Sequence, residues 1–89
     1  MCYNVVFSPD AQQDLLMLQK HAPTTLKKLS TLIEEMRQHP RTGTGKVEQL
    51  KGYTHETWSR RLNKEHRIVY EIRDEEILVL VISAFGHYK

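Results

Sequence analysis

Residues 57–84 read TWSRRLNKEHRIVYEIRDEEILVLVISA, and this stretch decides the fold. Three β-prone runs, 57–62, 67–72 and 77–84, are separated by the polar connections Asn63-Lys64-Glu65-His66 and Arg73-Asp74-Glu75-Glu76. Trp58 and Leu62, then Ile68, Tyr70 and Ile72, recur with the period of two that strands show when one face is covered by another layer. Ser59, Arg61, Arg67, Val69 and Glu71 fall on the opposite face, which is expected to be open; Val69 is its apolar exception. Arg61 and Arg67 are thereby placed together on that open face. Arg60 shares the parity of Trp58, which sends it over an aromatic ring or beside a helix.

The covering layer lies upstream. Residues 3–7 form a short β-like run, and Ser8-Pro9-Asp10 then supplies a helix start: a serine cap, a proline in the first turn and an early acid. Ala11, Leu15 and Leu18 recur at helical spacing until Ala22-Pro23. A second helix begins at Thr24 or Thr25, carries Leu26, Leu29, Leu32, Ile33 and Met36 as an apolar stripe, and stops before Pro40. Met17 and Met36 read as core filler. The expected fold is α+β, in the order β-α-α-β-β-β, with two helices on one face of a small, mainly antiparallel twisted sheet.

With 89 residues there is room for one domain, 1–89. A chain of this size hides roughly 60–65% of its extended surface on folding, so an open groove is expected rather than an enclosed cavity. The apolar run Ile77–Ile82 is too short to span a bilayer, no secretory leader is visible, and Cys2 is the one cysteine. A soluble, cytoplasmic protein is expected.

Charge is distributed unevenly. Residues 41–67 hold seven Lys or Arg against three Glu, a net of +4 in a chain whose net charge is +2. Such a patch suits a nucleic-acid backbone or an acidic protein partner; a solvated hairpin that simply exposes its charges is the alternative. Its first part, RTGTGKVEQLKGYTHE at 41–56, has three glycines and little periodicity and reads as a loop. Its glycines do not have phosphate-loop spacing, and the chain has no HExxH, no metal-ligand spacing of His and acids, and no serine nucleophile elbow. No metal or cofactor is expected.

Cleaving RNA without a metal requires a base for the ribose 2′-OH, cations for the phosphate and an acid for the departing 5′-oxygen. Glu48 is the base candidate; a carboxylate is a weak base, so its position must contribute more than its basicity. A surface ion pair with Lys46 or Lys51 is the other reading of Glu48. Arg61 and Arg67 suit phosphate through their planar, multi-donor guanidinium groups, or else decorate the strands. His87 is the acid candidate, because imidazole titrates near neutral pH. His66, in a turn, is a lesser substitute, and Tyr88 can stack on a base. His21, His39 and His55 read as surface or cap residues.

Gly43 to Lys51 has the pattern G-x-G-K-x-E-x-L-K, Trp58 to Tyr70 reads W-S-R-R-L-x-x-E-H-R-I-V-Y, and His87-Tyr88 stand near the end. On these motifs the chain resembles the YoeB/Txe-type toxins of the RelE superfamily, ribosome-dependent mRNA endoribonucleases paired with an antitoxin. The resemblance implies cleavage in the A site of the 70S ribosome, with Glu48 as general base and His87 as general acid. It makes Arg67 the arginine that stabilises the phosphate, Lys51 and Arg61 supporting cations, and Tyr88 a residue that orients the substrate. Lys46, Arg60, Lys64 and Lys89 would meet ribosomal RNA or the antitoxin. Gly86 and Lys89 depart from the family's tail, which has a bulkier residue before His-Tyr and stops at the tyrosine. A homodimer and an antitoxin with an acidic C-terminal segment are also implied. Two other functions use the same patch: a non-catalytic ribosome- or RNA-binding translation inhibitor, and an inactive regulator that binds the antitoxin.

Overall fold

The computed structural model describes residues 2–85. Strand β1 (Asn4–Phe7) leads into helix α1 (Pro9–His21) and helix α2 (Thr25–Gln38), followed by β2 (Glu48–Leu50), β3 (Thr57–Arg61), β4 (Arg67–Arg73) and β5 (Leu78–Ser83). The sheet order is β1-β5-β4-β3-β2. β1 runs parallel to β5, with Val5 opposite Val79, and every other pairing is antiparallel. The expected β-α-α-β-β-β order is present, with a short edge strand, β2, inserted before the three-stranded meander. Residues 41–56 are therefore not all loop. Three paired residues are too few for an alternation to register in the sequence, and the ladder with β3 defines the strand instead.

The helix boundaries reflect local chemistry. The Ser8 hydroxyl accepts the Ala11 N–H at 3.1 Å, Pro9 occupies the first turn, and Lys20 and His21 lie at the negative end of the α1 dipole. α2 ends at Gln38, two residues before Pro40, and its last turn is tied to the sheet by the Tyr3 N–H donating to the Arg37 carbonyl at 2.7 Å.

Ala11 and Leu18 of α1 and Leu29, Leu32 and Met36 of α2 bury against Ile68, Tyr70, Ile72, Val79 and Val81 of the sheet. Met36 is core filler as expected. Met17 is not: it stands 40% exposed, beside Leu16 on the outer side of α1.

β5 contains a register shift. Tyr70 pairs with Val81 but Val69 pairs with Ser83, leaving Ile82 as an extra residue. Such a bulge reverses the parity of the residues beyond it. Ser83 is moved to the face of Val69, and Ala84 turns into the core, where it is fully buried.

Leu32 is 1% exposed in the middle of the core. Leu32→Ala is expected to lower unfolding free energy by about 2–5 kcal/mol, because the cavity adds to the lost burial; urea denaturation measures it.

Candidate functional site

The site begins with a buried cation. Arg60 is fully buried, and the expectation that it meets RNA or the antitoxin is corrected by that burial. A guanidinium has five N–H donors, and the contacts of Arg60 match that number. Nε donates to the Tyr70 hydroxyl at 3.0 Å, and Nη1 to Glu35 Oε1 at 2.9 Å and the Thr44 carbonyl at 3.4 Å. Nη2 donates to the His39 and Thr42 carbonyls at 2.6 and 2.7 Å. The guanidinium carbon also lies 5.8 Å from the centre of the Tyr70 ring, near enough for a cation–π contribution. The Tyr70 hydroxyl donates in turn to the Pro40 carbonyl at 2.8 Å, and burial raises its pKa, keeping it protonated.

This hub wraps residues 39–45 around one side chain and so delivers the chain to β2. Gly43, at φ +121°, presses so close that a Cβ there would lie 2.0 Å from Glu35 Oε1. Gly45, at φ +100°, has its carbonyl bonded by the Arg61 N–H, and a Cβ would stand 2.7 Å from the Arg61 carbonyl. Lys46 comes next at φ +50°, an uncommon conformation for a side-chain-bearing residue. A second network closes the far end of the loop: Arg41 donates to Glu56 at 2.7 and 3.0 Å and to Asp74 at 2.8 Å, while Trp58 Nε1 donates to Glu56 at 2.7 Å.

From that loop Glu48 enters the edge strand opposite Ser59, and Ser59 lies opposite Val69, so all three share the sheet face turned away from the helices. Arg67 projects onto the same face. Its Nη2 donates to Ser59 Oγ at 2.8 Å, to the Lys46 carbonyl at 3.2 Å and to Glu48 Oε1 at 3.3 Å, and its Nε donates to Ser59 Oγ at 3.3 Å. The expectation that Arg67 stands in the open is corrected, because only 8% of it is exposed. It lies across the strands toward Ser59 and Lys46 instead of projecting into water. Val69 is buried as well, so its apolar character on this face fits its surroundings. Glu48 faces solvent, its side chain 55% exposed. The cation that the Glu48 carboxylate meets is Arg67, at 3.3 Å, where Lys46 or Lys51 is the partner expected from the sequence. At that exposure the pair adds little stability.

Arg61 lies directly opposite Arg67, and like charges at such a position destabilise a sheet. Lys46, Lys51 and Lys64 are exposed: Lys46 just before β2, Lys51 just after it, and Lys64 in the β3–β4 turn. His87, Tyr88 and Lys89 lie outside the described residues. His66 is buried and its ring stacks on Phe85; His21, His39 and His55 are exposed, as surface or cap residues should be. Ser59 is the residue that sequence reasoning missed as part of the site. Its parity with Arg61 was the available signal, but a serine on a polar face carries no mark of orienting an arginine.

Three carboxylates have lowered pKa values. Glu35 is held down first by the Thr44 backbone N–H and then by Arg60, against a desolvation penalty. Glu56 is lowered chiefly by its bonds from Arg41, and Asp74 by those from Tyr3 and Arg41. All three belong to the loop-holding networks. Among the described residues no group of three His, Cys, Asp or Glu side chains could hold a metal ion, and no helix is long and apolar enough to cross a membrane.

Known proteins are similar to this chain in sequence and in fold. A family model described as the YoeB-like toxin of bacterial type II toxin–antitoxin systems matches residues 7–88. Toxin YoeB of Mycobacterium bovis is 39% identical over 85 residues, covering 96% of this chain and 98% of its own. The YoeB dimer from Staphylococcus aureus superposes with a TM-score of 0.84 at 32% identity, over 99% of this chain and 100% of that one. The toxin in the heterotetrameric YoeB–YefM toxin–antitoxin complex from S. aureus superposes with a TM-score of 0.80, at the same identity and coverage.

The Arg60 hub has two measurable outcomes. Arg60→Lys retains the charge but has three donors for five acceptors. Hydrogen bonds from a charged donor are worth about 1.5–3 kcal/mol each, so losing two of them is expected to lower stability by at least about 2 kcal/mol in urea denaturation. A group whose folded pKa is lowered stabilises above its unfolded value and loses that contribution as pH falls through the folded value. Stability is therefore expected to decline below about pH 4.5, the ordinary glutamate value, and Glu35→Gln should make that decline shallower in denaturation series over acidic pH.

Proposed function

The chain belongs to the YoeB family of bacterial toxins, in the RelE superfamily, and on that premise we propose that it is an endoribonuclease that cuts mRNA in the ribosomal A site. The observation that carries this reading is the exposed Glu48 carboxylate held 3.3 Å from an arginine that Ser59 and Lys46 immobilise. A base at the solvent edge and a cation already oriented beside it are what attack by a ribose 2′-OH requires, because both stabilise the transition state without reorganising.

In this reaction Glu48 takes the 2′-OH proton as that oxygen bonds to phosphorus. Arg67 and Arg61 hold the phosphate oxygens as charge builds on them. The P–O5′ bond breaks to leave a 2′,3′-cyclic phosphate, and His87 donates a proton to the departing 5′-oxygen. Lys51 supports the phosphate and Tyr88 orients the substrate near the cut. No step calls on a metal or cofactor. Lys46, Lys64 and Lys89 are assigned to ribosomal RNA or to the antitoxin; Arg60 is assigned to the interior.

One domain performs these roles, acting in the cytoplasm where translating ribosomes are found. YoeB of S. aureus occurs as a dimer and in complex with YefM. By extension this chain forms a homodimer and is restrained by an antitoxin whose acidic C-terminal segment covers the basic surface.

Incubation of the protein with translating ribosomes, with mapping of mRNA 5′ ends, is expected to show cuts within A-site codons. Glu48→Gln is expected to lower the single-turnover rate by about 10²- to 10⁴-fold with ribosome binding retained. Intact mRNA with the unaltered protein would contradict the reading. Undiminished translation arrest by Glu48→Gln, with mRNA left whole, would identify a protein that blocks the ribosome by occupancy.

A further inference from the structure

The loop that joins β2 to β3 carries an aromatic side chain that none of the roles above employs. Lys51 to His55 are all exposed. Tyr53 is 44% exposed and is the one aromatic among the large apolar side chains that the described residues expose. A lone apolar side chain at a surface is ordinary, but this one stands on a loop whose ends are fixed and whose middle is open. At the near end Leu50 pairs with Thr57. At the far end Arg41 and Trp58 hold the Glu56 carboxylate, and the Glu56 carbonyl accepts the Ile72 N–H at 2.9 Å. The Thr57 hydroxyl also donates to the His55 carbonyl at 2.8 Å. Between these ends Gly52 turns the chain at φ +87°, and nothing lies within 4 Å of the position a Cβ would take there.

The ladder fixes where this loop lies relative to the site. Along β3, Thr57 is opposite Leu50, Ser59 is opposite Glu48, and Arg61 is opposite Arg67. Glu48 therefore stands between the two arginines at one end and the loop at the other. The five residues of chain from Glu48 to Tyr53 reach at most about 18 Å. A single strand of RNA that lies with a phosphate at Arg61 and Arg67 and runs along β2 meets Lys51 and Tyr53 next. A cation for a phosphate and an aromatic ring for a base, close together on an open loop, are the means by which proteins hold single-stranded nucleic acid. Charge alone would serve an acidic peptide; the ring beside it favours a base.

We propose that Tyr53 is a substrate-binding residue: it stacks on a base flanking the cleaved bond, on the side of Glu48 away from Arg61 and Arg67. This rests on the reading of the chain as a ribonuclease centred on Glu48. Every base has a ring face, so the contact tolerates any sequence, and its preference follows stacking strength. Adenine, with its larger ring system, is held better than uracil, and Tyr53 thereby biases which flanking nucleotides are accepted.

The test adds short oligoadenylate or oligouridylate, methylated at every 2′-oxygen so that neither can be cut, to the full chain and to its Tyr53→Phe and Tyr53→Leu variants. Proton NMR follows the Tyr53 ring, fluorescence anisotropy gives the affinity, and thermal unfolding is the control. The unaltered protein is also assayed for mRNA cleavage on ribosomes. The Tyr53 ring protons are expected to move upfield on binding, as protons beneath a base do. Tyr53→Leu, apolar but without a ring face, is expected to bind oligoadenylate about 10-fold more weakly, at an unchanged unfolding midpoint, and to lose the preference for adenine over uracil. Tyr53→Phe is expected to retain both. Ring protons that do not move, or a Tyr53→Leu protein that binds oligoadenylate as tightly as the unaltered one, overturn the assignment. If the ring protons move and the unaltered protein cuts no mRNA on ribosomes, the endoribonuclease reading fails and the stacking contact is upheld.

Discussion

A single guanidinium sits where the helical layer, the sheet and the connecting loop meet. Arg60 arises from β3, but its five donors are divided among a hydroxyl on β4, a carboxylate on α2 and three carbonyls of residues 39–44. A buried charge of this kind is costly unless every donor is matched, and in this fold every donor is. Among the described residues no buried side-chain nitrogen or oxygen lacks a partner. The loop has little apolar surface to hold it down. Its carbonyls are instead drawn around the cation, and its glycines permit the approach.

The functional consequence is indirect but specific. By fixing the path of residues 39–45, Arg60 sets where Lys46 turns and where Glu48 begins to pair with Ser59. The Lys46 carbonyl and the Ser59 hydroxyl then fix Arg67. Two neighbouring arginines in sequence thus have opposite tasks: Arg60 faces the helices and holds the scaffold, while Arg61 faces outward, opposite Arg67. Strand alternation separates them, and a single-residue slip of β3 would exchange them.

Much of this was legible in the sequence. The Ser8-Pro9 helix start, the stop before Pro40 and the alternation of Trp58, Ile68, Tyr70 and Ile72 revealed the two layers, because these signals are local and each has a steric or hydrogen-bonding cause. Motif resemblance pointed to Glu48, Arg61 and Arg67, which the structure brings onto one face. β2 was not legible, since a three-residue strand is defined by its partner rather than by its own pattern. The burial of Arg60 was half legible. Its parity was readable, but the acceptors that make burial tolerable come from segments distant in sequence and leave no local trace. Arg67 was misjudged as open for the same reason: Ser59 and Lys46 hold it down, and neither announces that role. Met17 was misjudged because an apolar residue at the edge of a helical stripe need not face inward.

The loop held by Arg60 leads into the edge strand that carries Glu48, and the proposed role of Glu48 depends on that placement. Gly43→Ala disturbs the loop without altering any residue of the site, because the added methyl collides with Glu35 Oε1 and meets a backbone conformation that L-residues avoid. Single-turnover mRNA cleavage by this variant, under conditions where circular dichroism shows it folded, is the direct measurement. A fall of about 10- to 100-fold is predicted. Cleavage at the unaltered rate would contradict the dependence of Glu48 on the loop.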